Sequence, residues 1–136
     1  MIKRAADATL ARVRPQTRGE LTISLVDDRL MRRLNARYRG KDKPTDVLSF
    51  SLSDGHTPDE PFGDVIISYE TARRQARAYG APLARELQRL SIHGTLHLCG
   101  YDHHERRAAA RMHALTRALL RELSGERSKA VRDQRG

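Results

Sequence analysis

The chain has no tryptophan, only two phenylalanines and four tyrosines, so its core must be built mainly from aliphatic side chains. A single cysteine, Cys99, excludes an intramolecular disulfide and fits a reducing compartment. No apolar run approaches membrane-spanning length, and the basic opening MIKRAADATLARVRP lacks the continuous apolar stretch of a secretory leader. A soluble, cytoplasmic protein with no membrane partner is expected. Acid is scarce relative to base: 17 Asp and Glu against 26 Lys and Arg leave a net charge of +9. That balance favours polyanions such as RNA, although an arginine-rich composition alone produces the same charge.

With 136 residues, no internal repeat and no dividing linker, the sequence reads as one domain over residues 1–123 and a disordered basic tail over 124–136. KRAADATLARV is helical and stops at Pro15. ELTISLVDD alternates, with Leu21, Ile23 and Leu25 on one face of a strand. Asp27 or Asp28 caps the next helix, which carries Leu30, Met31 and Leu34 and closes at Gly40. VLSFSLS is a second strand with Leu48, Phe50 and Leu52 on one face, and FGDVIIS is a third, more apolar and so expected to be central. Residues 69–79 form a helix with Tyr69, Ala72, Ala76 and Tyr79 inward and Arg73, Arg74 and Arg77 outward. LARELQRLSIHGTLHLCG runs apolar on more than one face, as a largely buried helix does. Residues 104–123 complete the domain with an amphipathic helix bearing Met112, Leu115, Leu119 and Leu123. The class is α+β: a small three- to four-stranded mixed sheet packed with about five helices.

HGTLHLCGYDH, residues 93–103, carries the chemistry. Four residues apart on a helix, His93 and His97 share a face. Gly100 permits a left-handed turn that can bring His103 back to complete a three-imidazole face, a zincin-like arrangement on a buried helix. Three protein ligands with a fourth position left open is the catalytic pattern for zinc, and imidazole also accepts nickel. Cys99, two residues from His97, should point away. His56, His104 and His113 have polar or charged neighbours and read as surface residues.

The spacing of the three histidines is also that of metal-dependent peptidases, but those carry a general-base glutamate directly after the first histidine. Here that residue is Gly94, and Met112 falls in a helical pattern rather than a methionine turn. Peptide hydrolysis would lack a base to deprotonate water and an acid for the leaving amine. A phosphodiester instead needs cations for its equatorial oxygens. LNARYRGKDKPTDVLSF supplies them in Arg37, Arg39, Lys41 and Lys43.

Taken together, HGTLHLCGYDH, LNARYRGKDKPTDVLSF, FGDVIIS and the helix bearing Met112 resemble the YbeY family of bacterial rRNA-maturation endoribonucleases, in the same order from about Glu20 to Leu123. The resemblance implies a single-domain, metal-dependent hydrolase of single-stranded RNA. It would act on the 3′ end of 16S rRNA and in ribosome quality control, with the small ribosomal subunit and its assembly factors as partners and no DNA substrate. It implies His93, His97 and His103 as ligands of one zinc ion per chain, with His93 and Arg39 catalytic and Asp46, Ser49 and Asp64 supporting. Arg37, Lys41, Lys43, Arg73, Arg74 and Arg77 are candidate RNA contacts, the helix arginines equally well a solvated face. Members of the family usually open on a strand, which this chain is expected to lack. Two rival readings are a metal-dependent peptidase or amidohydrolase, and a non-enzymatic assembly factor with a structural metal.

Overall fold

The computed structural model describes residues 1–101 and 106–135, with side chains described as far as residue 125. The elements run α1 (Ile2–Val13), β1 (Leu21–Val26), α2 (Asp28–Arg39), β2 (Val47–Ser51), β3 (Gly63–Ser68), α3 (Tyr69–Tyr79), α4 (Leu83–Leu98) and α5 (Arg106–Arg135). The three strands form one mixed sheet in the order β1-β3-β2, with β1 parallel and β2 antiparallel to β3. The most apolar strand is therefore central, as its composition requires. No described helix is long and apolar enough to cross a membrane.

Local chemistry sets the helix ends. Asp27 caps α2 by accepting from the Leu30 amide at 2.8 Å, and Ser68 caps α3 by accepting from the Thr71 amide at 3.3 Å. Both helices stop at glycines in the left-handed conformation, Gly40 and Gly80. The helix α5 continues through residues 124–135, where the polar composition suggested disorder; that stretch holds no proline and many good helix formers.

Helix α4 is the centre of the molecule. One side of it packs with Leu21, Val65 and Ile67 of the sheet, and Ala6 and Ala72 join that cluster. Its other side, through Ile92 and Leu96, packs with Ala5 of α1 and with Met112, Leu119 and Leu123 of α5. Met112 is thus a core residue. Cys99 packs at the margin of the sheet-side core, where burial raises its thiol pKa. The sheet is covered unequally. Leu25 and Leu52 are exposed, and so are Tyr69 and Tyr79, which helical periodicity places inward. On α3 only the small Ala72 and Ala76 reach the core, because α3 lies close against α4.

Candidate functional site

In β2, residues 47 and 49 pair with Ile67 and Val65 and face α4, while Leu48 and Phe50 pair with Ile66 and Asp64 and face the opposite side. Phe50 meets Tyr38 of α2 edge-on, with ring centroids 5.1 Å apart, so α2 lies on that opposite face. The strand order leaves β2 at an edge of the sheet. Side chains from both layers therefore converge beside it.

An open cleft of about 1290 Å³ follows this edge. Its floor is α4, which contributes Arg89, His93 and His97, spaced four residues apart on one helical face. Its far wall carries Arg39, Lys41 and Lys43, with Asp46 and Ser49 between the two. The predicted histidine pair and the predicted cationic loop thus share one cavity. His93 is half-buried, and burial, then the charges of Arg89 and His97, lower its pKa to about 4 against the opposing pull of Asp46. Near neutral pH its imidazole is uncharged and can donate a lone pair.

Gly94 explains itself through packing. A Cβ there would lie 2.5 Å from Val65 Cγ1, 3.0 Å from Val47 Cγ2 and 3.1 Å from Ser49 Oγ. The position after His93 faces the sheet, with no room for a glutamate. The close approach is sealed by Ser49 Oγ, which donates to the Gly94 carbonyl at 2.8 Å.

Arg39 reaches round the edge strand. Its Nη2 donates to the Ser49 carbonyl at 3.0 Å, and its guanidinium lies 5.7 Å from the Phe50 ring centre. The loop carrying Lys41 and Lys43 is held by buried Asn35, whose amide donates to the Lys43 carbonyl at 2.8 Å, and by an Arg32–Asp42 ion pair. Asp46 accepts from its neighbour's amide, Val47 N, at 2.8 Å and from Gln75 Nε2 at 3.3 Å, which fixes its carboxylate at the cleft.

Several predicted residues stand elsewhere. Asp64 lies on the sheet face away from α4 and accepts from Thr22 of β1. Arg37 stacks 5.5 Å from the Tyr38 ring centre and borders a separate depression on α2. Arg73, Arg74 and Arg77 do not line the cleft, and Arg74 is engaged with Asp28 at 2.8 Å. Conversely, His113 of α5 lines the cleft, although its charged neighbours made it read as a plain surface residue. Arg89 and buried Glu86 went unnoticed in the sequence; an acidic residue inside a helix that is apolar on several faces was the available signal.

The described donors suit a divalent transition metal: two imidazoles one turn apart, with that of His93 held neutral by burial. Gly100, at φ +93°, has the left-handed turn expected after the histidine helix. His103 and His104 lie outside the described residues, and among the described residues no three His, Cys, Asp or Glu side chains converge on a metal position.

The family profile described as Endoribonuclease YbeY matches residues 1–124. A Myxococcus xanthus protein named Endoribonuclease YbeY is 54% identical over 106 residues, 76% of this chain, and the chain spans only 36% of that longer relative. Relatives of the same name from Heliobacterium modesticaldum and Moorella thermoacetica are 44% and 50% identical, covering 89% and 75% of this chain and 80% and 71% of their own lengths. The solution structure of a Thermotoga maritima protein superposes with a TM-score of 0.64 at 27% identity, covering 95% of this chain and 85% of that one. The chain belongs to the YbeY endoribonuclease family.

Proposed function

We propose that this chain is a metal-dependent endoribonuclease that cleaves single-stranded RNA and matures the 3′ end of 16S ribosomal RNA in the cytoplasm, with zinc held by His93, His97 and His103. The observation that carries this reading is that His93 and His97 line one open cleft together with Arg39, Lys41 and Lys43. When bound, the zinc would polarise a phosphoryl oxygen and acidify water.

The chain's own residues do the rest. Arg39 is placed to neutralise charge developing on the phosphoryl oxygens, and its tie to the Ser49 carbonyl fixes one edge of the guanidinium. Lys41 and Lys43 extend the positive wall along which a backbone would lie. Asp46 is the acid whose charge acts on His93, and hydrogen bonds from Thr45, Val47 and Gln75 hold it there. Ser49 joins the arginine wall to the histidine helix. With the position after His93 filled by the sheet, Gly94 leaves no room for a counterpart of the peptidase glutamate at that position. The small ribosomal subunit and its assembly factors would present the substrate, and the same site would serve ribosome quality control.

The test uses protein purified without a nickel column, because three imidazoles accept nickel as readily as zinc. Wild type, His93→Ala and Arg39→Ala are compared on single-stranded RNA and on DNA of the same sequence, alongside metal analysis. Loss of RNA cleavage in both variants, no DNA cleavage and one zinc per chain are expected. Equal cleavage by all three proteins would assign the activity to a contaminant.

A further inference from the structure

We propose that Arg89 is a second phosphate-binding cation of the cleft, set in place by the buried carboxylate of Glu86, and that it takes the phosphate flanking the one at His93 and His97. The inference rests on the nuclease reading and adds a residue to which no role has been given.

Arg89 lies one turn before His93 on α4, about 6 Å along the axis, and lines the same cleft. Its Nε donates to Glu86 Oε1 at 2.8 Å and its Nη2 donates to the same oxygen. Glu86 is only 2% exposed, whereas Arg89 is 29% exposed, so the ion pair is polarised with its cationic end toward the cavity. The guanidinium also lies over the Tyr79 ring, 5.9 Å from its centre. A guanidinium has five N–H donors, and two serve Glu86, leaving three for an acceptor in the cleft. Stability alone gives little reason for such a pair, since a buried ion pair is often no more stabilising than apolar side chains of similar size. A cation oriented by a buried acid and an aromatic face at the end of a cationic cleft fits a phosphate diester better than it fits a structural tie.

The experiment measures binding of labelled oligouridylate to the full chain, with metal chelated, across a series of potassium chloride concentrations. Each phosphate contact on a single strand contributes roughly 0.7 to the slope of log affinity against log salt. Arg89→Gln should weaken binding about tenfold at low salt and make the slope shallower by about 0.7. The double variant Glu86→Gln with Arg89→Gln should do the same while leaving no uncompensated buried charge, which guards against a folding defect. Arg89→Lys should keep the slope at lower affinity. Glu86→Gln alone should also keep it, because the charge survives without its anchor. Arg85→Gln, on the exposed side of α4, should match wild type. Wild-type slope and affinity in both Arg89→Gln proteins would overturn the inference while leaving the nuclease reading standing. A wild-type protein that shows no salt-dependent RNA binding would overturn both.

Discussion

Ser49 donates its hydroxyl to the carbonyl of Gly94 at 2.8 Å, and its own carbonyl accepts from Arg39. One edge-strand residue thus couples the arginine wall of the cleft to the helix that presents the histidines. Ser49→Ala removes only the first bond, and because the Gly94 carbonyl also serves the helix, the loss should be about 1 kcal/mol. That corresponds to a fall of roughly 3–5 °C in Tm for a domain of this size. RNA cleavage should drop through kcat, since the strand can still bind. An unchanged Tm would show that this hydrogen bond does not tie the edge strand to the helix.

Gly94→Ala pits two effects against each other. Alanine gains about 1 kcal/mol of helix propensity. Its methyl must displace Val65 Cγ1 at 2.5 Å, on the central strand, where overpacking costs about 1–3 kcal/mol. The methyl meets a short β-branched side chain that cannot swing aside, so net destabilisation is expected. Denaturant unfolding of Gly94→Ala and of the pair Gly94→Ala with Val65→Ala checks this: the second change should return part of what the first removes. Additive losses would place the cost in the backbone rather than in this contact.

The histidine helix was legible because its signal is local. Spacing of four on one helix puts His93 and His97 on a common face whatever surrounds them, and a glycine after the helix marks the turn. The central position of β3 was equally readable from its apolar run. What spacing cannot show is which side of an element its neighbours cover. Tyr69 and Tyr79 follow the inward period of α3 yet stay exposed, because α4 leaves room there only for alanines. Arg74 reads as a free surface cation until Asp28, at the start of another helix, is seen to engage it. Asp64 looks like a site acid by its place in a strand motif, but the period of two turns it to the face away from α4. His113 and Arg89 join the site only through tertiary packing.

Asp28 provides a pH signature. Burial pushes its carboxyl upward, but hydrogen bonds from Ser68, Thr71 and Arg74, with the charge of Arg74, outweigh that and bring the pKa down to about 2. A folded value below the unfolded one of about 3.8 means the contribution is complete above that unfolded value. It then fades as pH falls toward 2. Partial exposure and screening limit the contribution to about 1–2 kcal/mol. Denaturant unfolding of wild type and Asp28→Asn should differ by that amount at pH 6 and converge near pH 2. A gap that persists in acid would assign the loss to the Ser68 and Thr71 hydrogen bonds rather than to the charge.

Metal binding can be read from stability without any assay of activity. An ion that binds only the folded chain stabilises it by about 2.7 kcal/mol at a hundredfold excess over Kd. Zinc added to chelated wild type should therefore raise Tm clearly, and His93→Ala or His97→Ala should abolish the rise. His103→Ala tests the proposed third ligand directly: loss of the rise would place that imidazole on the metal, and a full rise would send the search to another donor. Gly100→Ala probes the turn that follows the histidine helix. At φ +93° an added methyl meets nothing among the described residues within 4 Å, so its cost there is backbone strain, about 1 kcal/mol. The variant keeps all three histidines, so zinc should still raise its Tm, by less than in wild type. The shortfall measures how much of the affinity depends on the glycine's left-handed turn.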